Sequence, residues 1–366
     1  MVTFNDKIAI LGLGLMGGSL GAALVRNGHQ VAGWDIDPCA VEEAFRMGAI
    51  NVLAEDFAGV VSDAQFIFVA TPVLTIAGLI RQCLPYIKPG TVFSDLGSIK
   101  GLIIQQVNEF LPEGCFFVPG HPMTGSERHG ITAADPFLFE NAAYILIETP
   151  ALPVEVLTKI KQLLTKTGAH LIVLTADDHD RIVGMVSHLP HLVSAVLAQT
   201  AGVEEEQYPG TLALAAGGFR DTTRLALGSP KLWEEIITGN RDKILTAITA
   251  FQEQLERLKQ IIATDNRSAL NGFLSNAHDV RAQIPAKNKG IVSLVHEMVV
   301  TIEDRPGTIE AVLRHLSKVN INVKDVEILR VREGDGGTLK LALENDQAVE
   351  TAIRVLREQG FKAWRR

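Results

Sequence analysis

Lys7-Ile8-Ala9-Ile10-Leu11-Gly12-Leu13-Gly14-Leu15-Met16-Gly17 decides the fold. A short apolar strand runs into three glycines spaced Gly-x-Gly-x-x-Gly. The next residues place Leu20, Ala23 and Leu24 on one helical face, up to a stop near Gly28. A second strand, Gln30–Trp34, then ends at Asp35. Strand, glycines, helix, strand and acid together form the dinucleotide fingerprint in its required context. Gly12 permits the tight turn, Gly14 lets backbone approach a pyrophosphate, and Gly17 lets helix and strand pack closely. Gly12, Leu13, Gly14, Leu15, Met16 and Gly17 thus form a phosphate cradle at a helix start. Asp35 lies about 20 residues on, where an acid holds a ribose 2′-hydroxyl and repels a 2′-phosphate. The cofactor is therefore read as NAD rather than NADP.

Strands and helices continue to alternate, which predicts a doubly wound α/β sheet. Gln65–Ala70 reads as a fourth strand ending at Thr71-Pro72, beside the cofactor cleft. Thr91–Asp95 reads as a fifth and leads to Leu96-Gly97-Ser98-Ile99-Lys100. Ser98 can cap the following helix, face the cleft, or both. Cys115–Val118 reads as another buried strand, which Pro119 stops. It opens a loop, Gly120-His121-Pro122-Met123-Thr124-Gly125-Ser126-Glu127. A histidine there sits at the sheet edge and titrates near neutral pH, so it can take a proton. Strands Asn141–Ile147 and Leu171–Leu174 flank a helix, Val154–Lys166. The nucleotide-binding domain is taken as residues 1–174.

Bulk properties narrow the choices. The chain has 366 residues, 47% apolar and 21% charged, enough for two or three domains with real cores. A net charge of −8 with no basic run argues against nucleic acid. No charged-then-apolar leader opens the chain, and no apolar run reads as long enough to span a membrane. Cys39, Cys83 and Cys115 are scattered, which gives no metal spacing and fits a reducing cytoplasm.

Residues 175–284 read as all helical. A long helix passes through Ser187-His188-Leu189-Pro190-His191, and Pro190 should kink it or free a carbonyl. His188 and His191 share a face, but no third ligand follows and no metal is assigned. Ala215-Ala216-Gly217-Gly218-Phe219-Arg220-Asp221-Thr222-Thr223-Arg224 makes a turn and then a polar helix start, with Arg224 a candidate carboxylate clamp or a partner of Asp221. Another helix begins at Lys231-Leu232-Trp233. On the next, Leu245, Ile248, Leu255, Leu258 and Ile262 form an apolar stripe suited to a subunit interface. After a linker, residues 291–366 follow the order βαββαβ, a ferredoxin-like module. Its strand–Asp304-Arg305-Pro306-Gly307–helix turn resembles the ACT regulatory domain. That resemblance makes Asp304, Gly307 and Asn320 candidates for binding an amino acid.

Over essentially its whole length the chain resembles prephenate dehydrogenases that carry a C-terminal ACT domain. The residues behind this are the glycine fingerprint, Asp95-Leu96-Gly97-Ser98-Ile99-Lys100, Gly120–Glu127, Ser187–His191 and Gly218–Arg224. The resemblance implies that His121 takes the proton of the ring hydroxyl of prephenate as hydride leaves for NAD+, with Ser98 orienting both. It implies that Arg224 clamps a carboxylate and that His191 faces the substrate, with Ser187 and His188 close by. Ser126 and Glu127 are expected at the pocket mouth, and Gly217, Asp221 and Trp233 on the helical wall. A homodimer inhibited by tyrosine is expected. Arogenate dehydrogenase is the near alternative, and a cofactor- and amino-acid-sensing regulator without turnover is the distant one. Hydroxy-acid enzymes of the same plan would be expected to offer a lysine in the helical domain, and Ser187–Arg224 contains none.

Overall fold

The computed structural model describes residues 7–125, 128–149, 152–284, 296–303, 305–332 and 336–365. The chain divides into two compact units, Met1–Ile291 and Val292–Arg366. The first begins β1 (Lys7–Leu11), α1 (Leu15–Arg26), β2 (Gln30–Trp34), α2 (Pro38–Arg46), α3 (Phe57–Val61), β3 (Phe66–Val69), α4 (Ile76–Cys83), β4 (Val92–Asp95), α5 (Gly101–Asn108) and β5 (Phe116–Phe117). These strands form a parallel sheet in the order β2-β1-β3-β4-β5. Its inner strands are apolar on both faces, as a sheet covered by helices on each side requires. Along β1, Ile8 and Ile10 enter one core, while Ala9 and Leu11 enter the other.

Two expectations are corrected here. Phe66–Val69 is the third strand, not the fourth, because residues 36–64 contribute only an isolated bridge between Ala32 and Val52. The segment after Pro119 is not simply a loop. Gly120–Pro122 is a short strand, β6, that pairs antiparallel with β7 (Ala143–Ile147), setting His121 opposite Ile145. After α6 (Val154–Thr165), β8 (His170–Leu174) completes this separate sheet in the order β6-β7-β8.

The helical part follows as α7 (Ala176–Val183), a π-helical turn (Gly184–His188), α8 (Leu189–Gln207), α9 (Gly217–Thr223), α10 (Pro230–Gly239), α11 (Arg241–Ala263) and α12 (Arg267–Ala282). The wide turn sits just before Pro190, where a proline cannot donate to the helical ladder. Ala176–Gln207 is one continuous helix, long and apolar enough to cross a bilayer by length and composition. That corrects the expectation that no apolar run reaches such a length. This helix also buries polar His179, Asp180, His188, His191 and Ser194. The glycines of Gly217-Gly218 begin α9 rather than precede it, so Arg224 follows α9 and opens a short 3-10 turn, Arg224–Leu227.

The second unit runs β9 (His296–Ile302), α13 (Thr308–Lys318), β10 (Val323–Arg332), β11 (Gly336–Leu343), α14 (Asp346–Glu358) and β12 (Lys362–Arg365). Its antiparallel sheet has the order β10-β11-β9-β12, the split βαβ arrangement. Met298, Val300, Leu339 and Leu341 pack against Val312, Leu316, Val349 and Leu356 of the two helices.

Gly17 is the tightest position in the nucleotide fold. A Cβ there would lie 1.9 Å from the Gly12 carbonyl oxygen, so the backbone would have to move. Gly17→Ala should therefore cost about 1–3 kcal/mol and weaken NAD binding at least tenfold. Urea unfolding and a fluorescence titration with NADH check both outcomes.

Candidate active site

The glycine loop has the shape a dinucleotide needs. Gly12 adopts φ +95°, and a Cβ on it would meet Ala70 O and Thr71 Cγ2 at 2.7 and 2.8 Å. That contact brings Thr71, at the end of β3, onto the loop, with Pro72 beside it. A Cβ on Gly14 would have nothing within 4 Å, so the loop is open on the side where phosphates approach. Leu13, Leu15 and Met16 carry the chain into the first turn of α1. Asp35 accepts the Leu13 N–H at 2.7 Å and the Asp37 N–H at 3.0 Å. Each carboxylate oxygen keeps a lone pair free for a ribose hydroxyl. These residues fit NAD.

His121 stands in β6, partly buried. Its Nδ1 lies 2.8 Å from His179 Nε2, and His179 Nδ1 lies 2.7 Å from Asp180 Oδ1. The Asp180 carboxylate also accepts the N–H groups of Lys100 at 2.9 Å and Gly101 at 2.7 Å. It therefore satisfies the start of α5. Ser98 is not the residue that does so; it lies partly buried in the turn just before this helix. Behind the turn, Lys100 is fully buried, with its ammonium on the Asp95 carboxylate and on the Gly120 carbonyl at 2.7 Å. Gly120 has no room for a side chain, since a Cβ would lie 2.8 Å from the Tyr144 ring and 2.9 Å from Asp95 O.

Burial, the nearby Lys100 ammonium and the His179 and His188 rings hold His121 well below its ordinary pKa. Burial likewise pushes His188 down to about 4, against an upward pull from Asp180, and lowers His191. For Asp180, burial raises the pKa, but the hydrogen bonds from His179, Gly101 and Lys100 win and leave it lowered. The cleft thus holds neutral imidazoles beside an ionised carboxylate and a buried cation.

The helical wall closes over this group. The side-chain amide of Asn240 donates to Asp180 O at 2.8 Å and lies 3.2 Å from His188 Nδ1. Trp233 stacks on His191, with centroids 3.6 Å apart and planes 12° apart, and meets His188 edge-on at 6.0 Å. Ser187 lies in the π-helical turn just before His188. Gly217, Asp221 and Arg224 are exposed, along α9 and just beyond it. Hydrogen bonds and ring contacts therefore join His121 to His179, and His188 and His191 to Trp233. Ser126, Glu127 and Asp304 lie outside the described residues. Gly307 and Asn320 bracket α13, whose 11 residues span roughly 16 Å. His179, Asp180, Lys100 and Asn240 were missed as site residues. The one local signal is the adjacent His179-Asp180 pair in α7.

Linkage sets the sign of the pH response. His188 folds neutral, so below about pH 6.5 the unfolded chain binds a proton that the folded chain refuses until about pH 4. Stability from this group is complete above that window and falls as pH drops through it, by about 3 kcal/mol in all. His121 acts in the same direction. Urea midpoints measured at pH 7 and pH 4.5 should show the fall, and His188→Asn should flatten it.

The family model of the prephenate dehydrogenase nucleotide-binding domain matches residues 20–173, and that of the dimerization domain matches residues 175–276. A prephenate dehydrogenase of Bacillus subtilis is 32% identical over 94% of each chain. The crystal structure of prephenate dehydrogenase from Aquifex aeolicus with hydroxyphenyl propionate and NAD+ superposes with a TM-score of 0.71 at 28% identity, covering 78% of this chain and 100% of that one. A Synechocystis arogenate dehydrogenase superposes at 0.69 with 29% identity, covering 76% and 99%. With its nucleotide-binding fold, its helical partner layer and its histidine at the cleft, the chain belongs to the prephenate dehydrogenase family.

Proposed function

We propose that this chain catalyses the NAD-dependent oxidative decarboxylation of prephenate to 4-hydroxyphenylpyruvate. The observation that carries this is His121, a partly buried imidazole on β6 hydrogen-bonded to His179, in the same unit as a glycine loop shaped for a dinucleotide. NAD+, when bound, accepts the hydride. The residues of the chain do the rest. His121 takes the proton of the ring hydroxyl through the ring nitrogen that is not on His179. Ser98, in the turn after β4, offers its hydroxyl to the same oxygen. Arg224 holds a carboxylate of the dianion, since a guanidinium fork matches it. The His191–Trp233 stack gives the ring a flat wall. Loss of carbon dioxide makes the ring aromatic, so positioning and one proton acceptor suffice.

The helical layer is proposed to pair with a second copy. Leu245, Leu255 and Ile262 of α11 and Val186, Val196 and Val203 of the long helix are large apolar residues left more than one-third exposed. The C-terminal unit is proposed to be an ACT module that binds tyrosine, with Asp304, Gly307 and Asn320 as candidates. The free cysteines fit a cytoplasmic protein.

An assay of NADH formation with prephenate and, separately, arogenate tests the reading. Turnover of prephenate supports it, preference for arogenate moves the substrate to the aminated analogue, and silence with both ends it. His121→Asn should lower kcat by about 10²–10⁴-fold, the usual contribution of a placed base, with NAD affinity retained. Arg224→Ala should raise KM for prephenate at least tenfold; an unmoved KM places the clamp elsewhere. Ending the chain at Ile284 should leave measurable activity and abolish inhibition by tyrosine.

A further inference from the structure

We propose that His179 and Asp180 are positioning residues for His121, forming a chain that sets which nitrogen of His121 carries the proton. This rests on the prephenate dehydrogenase reading above. Asp180, when ionised, can only accept hydrogen bonds. Its Oδ1 lies 2.7 Å from His179 Nδ1, so that nitrogen carries a hydrogen and donates it. A neutral His179 then has an unprotonated Nε2, which faces His121 Nδ1 at 2.8 Å. His121 must donate from Nδ1, and its Nε2 is left as a bare lone pair. That is the form in which His121 can take a proton from a hydroxyl. If His179 were protonated, the bond would reverse and His121 would present N–H to the substrate, the wrong tautomer for a base.

The same chain answers a charge problem. When His121 accepts the proton it becomes a cation beside Lys100, His179 and His188, all of which disfavour that form, as does burial. Asp95 is engaged by the Lys100 ammonium. Asp180 is the carboxylate that hydrogen bonds connect to His121, through the ring of His179. It is itself anchored by the N–H groups of Lys100 and Gly101, while Asn240 holds its backbone carbonyl. The dyad is therefore rigid, and it approaches His121 from the helical part of the chain while the base stands on β6.

The test compares His179→Gln with His179→Phe in the full-length protein. A Gln amide oxygen reaches where Nε2 was and can accept from His121 Nδ1, whereas Phe cannot. His179→Phe should lower kcat about 10²–10³-fold, by analogy with loss of the orienting acid in a catalytic triad. KM for prephenate and the NADH dissociation constant should move less than about threefold. His179→Gln should recover at least a tenth of wild-type kcat. The groups facing His121 are Lys100, His179, His188 and, through His179, Asp180. Losing the link to Asp180 should shift the acid limb of the kcat–pH profile to lower pH in the Phe variant.

Nitrogen NMR of labelled histidines in the wild-type protein gives an independent reading. His121 should carry its proton on Nδ1 at neutral pH. Three results would each overturn the proposal: a Phe variant within threefold of wild-type kcat, a Gln variant as impaired as Phe, or a wild-type His121 with Nδ1 unprotonated. Because the NMR needs no turnover, it judges the dyad even if prephenate proves not to be the substrate. Wild-type turnover judges the substrate alone.

Discussion

A buried ammonium on a buried carboxylate holds the site in register. Lys100 and Asp95 are both fully removed from solvent. Asp95 ends β4, Lys100 precedes α5, and the ammonium reaches across to the carbonyl of Gly120 in β6. The Asp95 carboxylate accepts the Gly97 N–H at 2.9 Å and the Gly120 N–H at 3.3 Å. One ion pair therefore joins the turn that carries Ser98 to the strand that carries His121. Removing one partner of such a pair typically costs about 3–5 kcal/mol, because the other charge is stranded. Burial lowers the Lys100 pKa, and the carboxylates of Asp95 and Asp180 pull it back up.

Beside that pair runs a chain of linked polar groups. Asp180 closes α5 from outside its own sequence neighbourhood, and its neighbour His179 turns toward His121. Asn240 ties Asp180 to His188, and His188 meets Trp233, which stacks on His191. Where α10 arrives, a Cβ on Gly239 would lie 2.0 Å from Ile99, so the helical layer sits directly on the turn that follows β4. The electrostatics follow from this packing. A fixed cation and several desolvated imidazoles favour neutral bases and suit an anionic ring.

Much of this was legible along the chain. The glycine loop, β1, β2 and α1 were readable because their determinants are local: a short continuous apolar run, a left-handed glycine and a helix start. His121 and Ser98 were readable as candidates because their short motifs carry chemistry by residue type, and Trp233 only through the family resemblance. The strand count between Asp35 and Gln65 was one too high, since the segment around Val52 forms only an isolated bridge to Ala32. β6 was misread as loop because a strand of three residues containing a proline has too little period to detect. The long helix through Pro190 was read with a kink or a freed carbonyl at the proline, and the π-helical turn found just before it is a tertiary outcome.

By itself the sequence determined the class of each part: a dinucleotide fold, a helical layer, a βαββαβ tail, and a histidine able to act as a base. Those follow from spacing and residue chemistry, which neighbours along the chain suffice to set. Tertiary structure alone decided which groups touch that histidine. His179 is 58 residues away from it, and the Asp180–Lys100 contact spans 80. Hydrogen-bond direction, desolvation and charge pairing depend on distances of about 3 Å between such remote groups, and no local pattern encodes them.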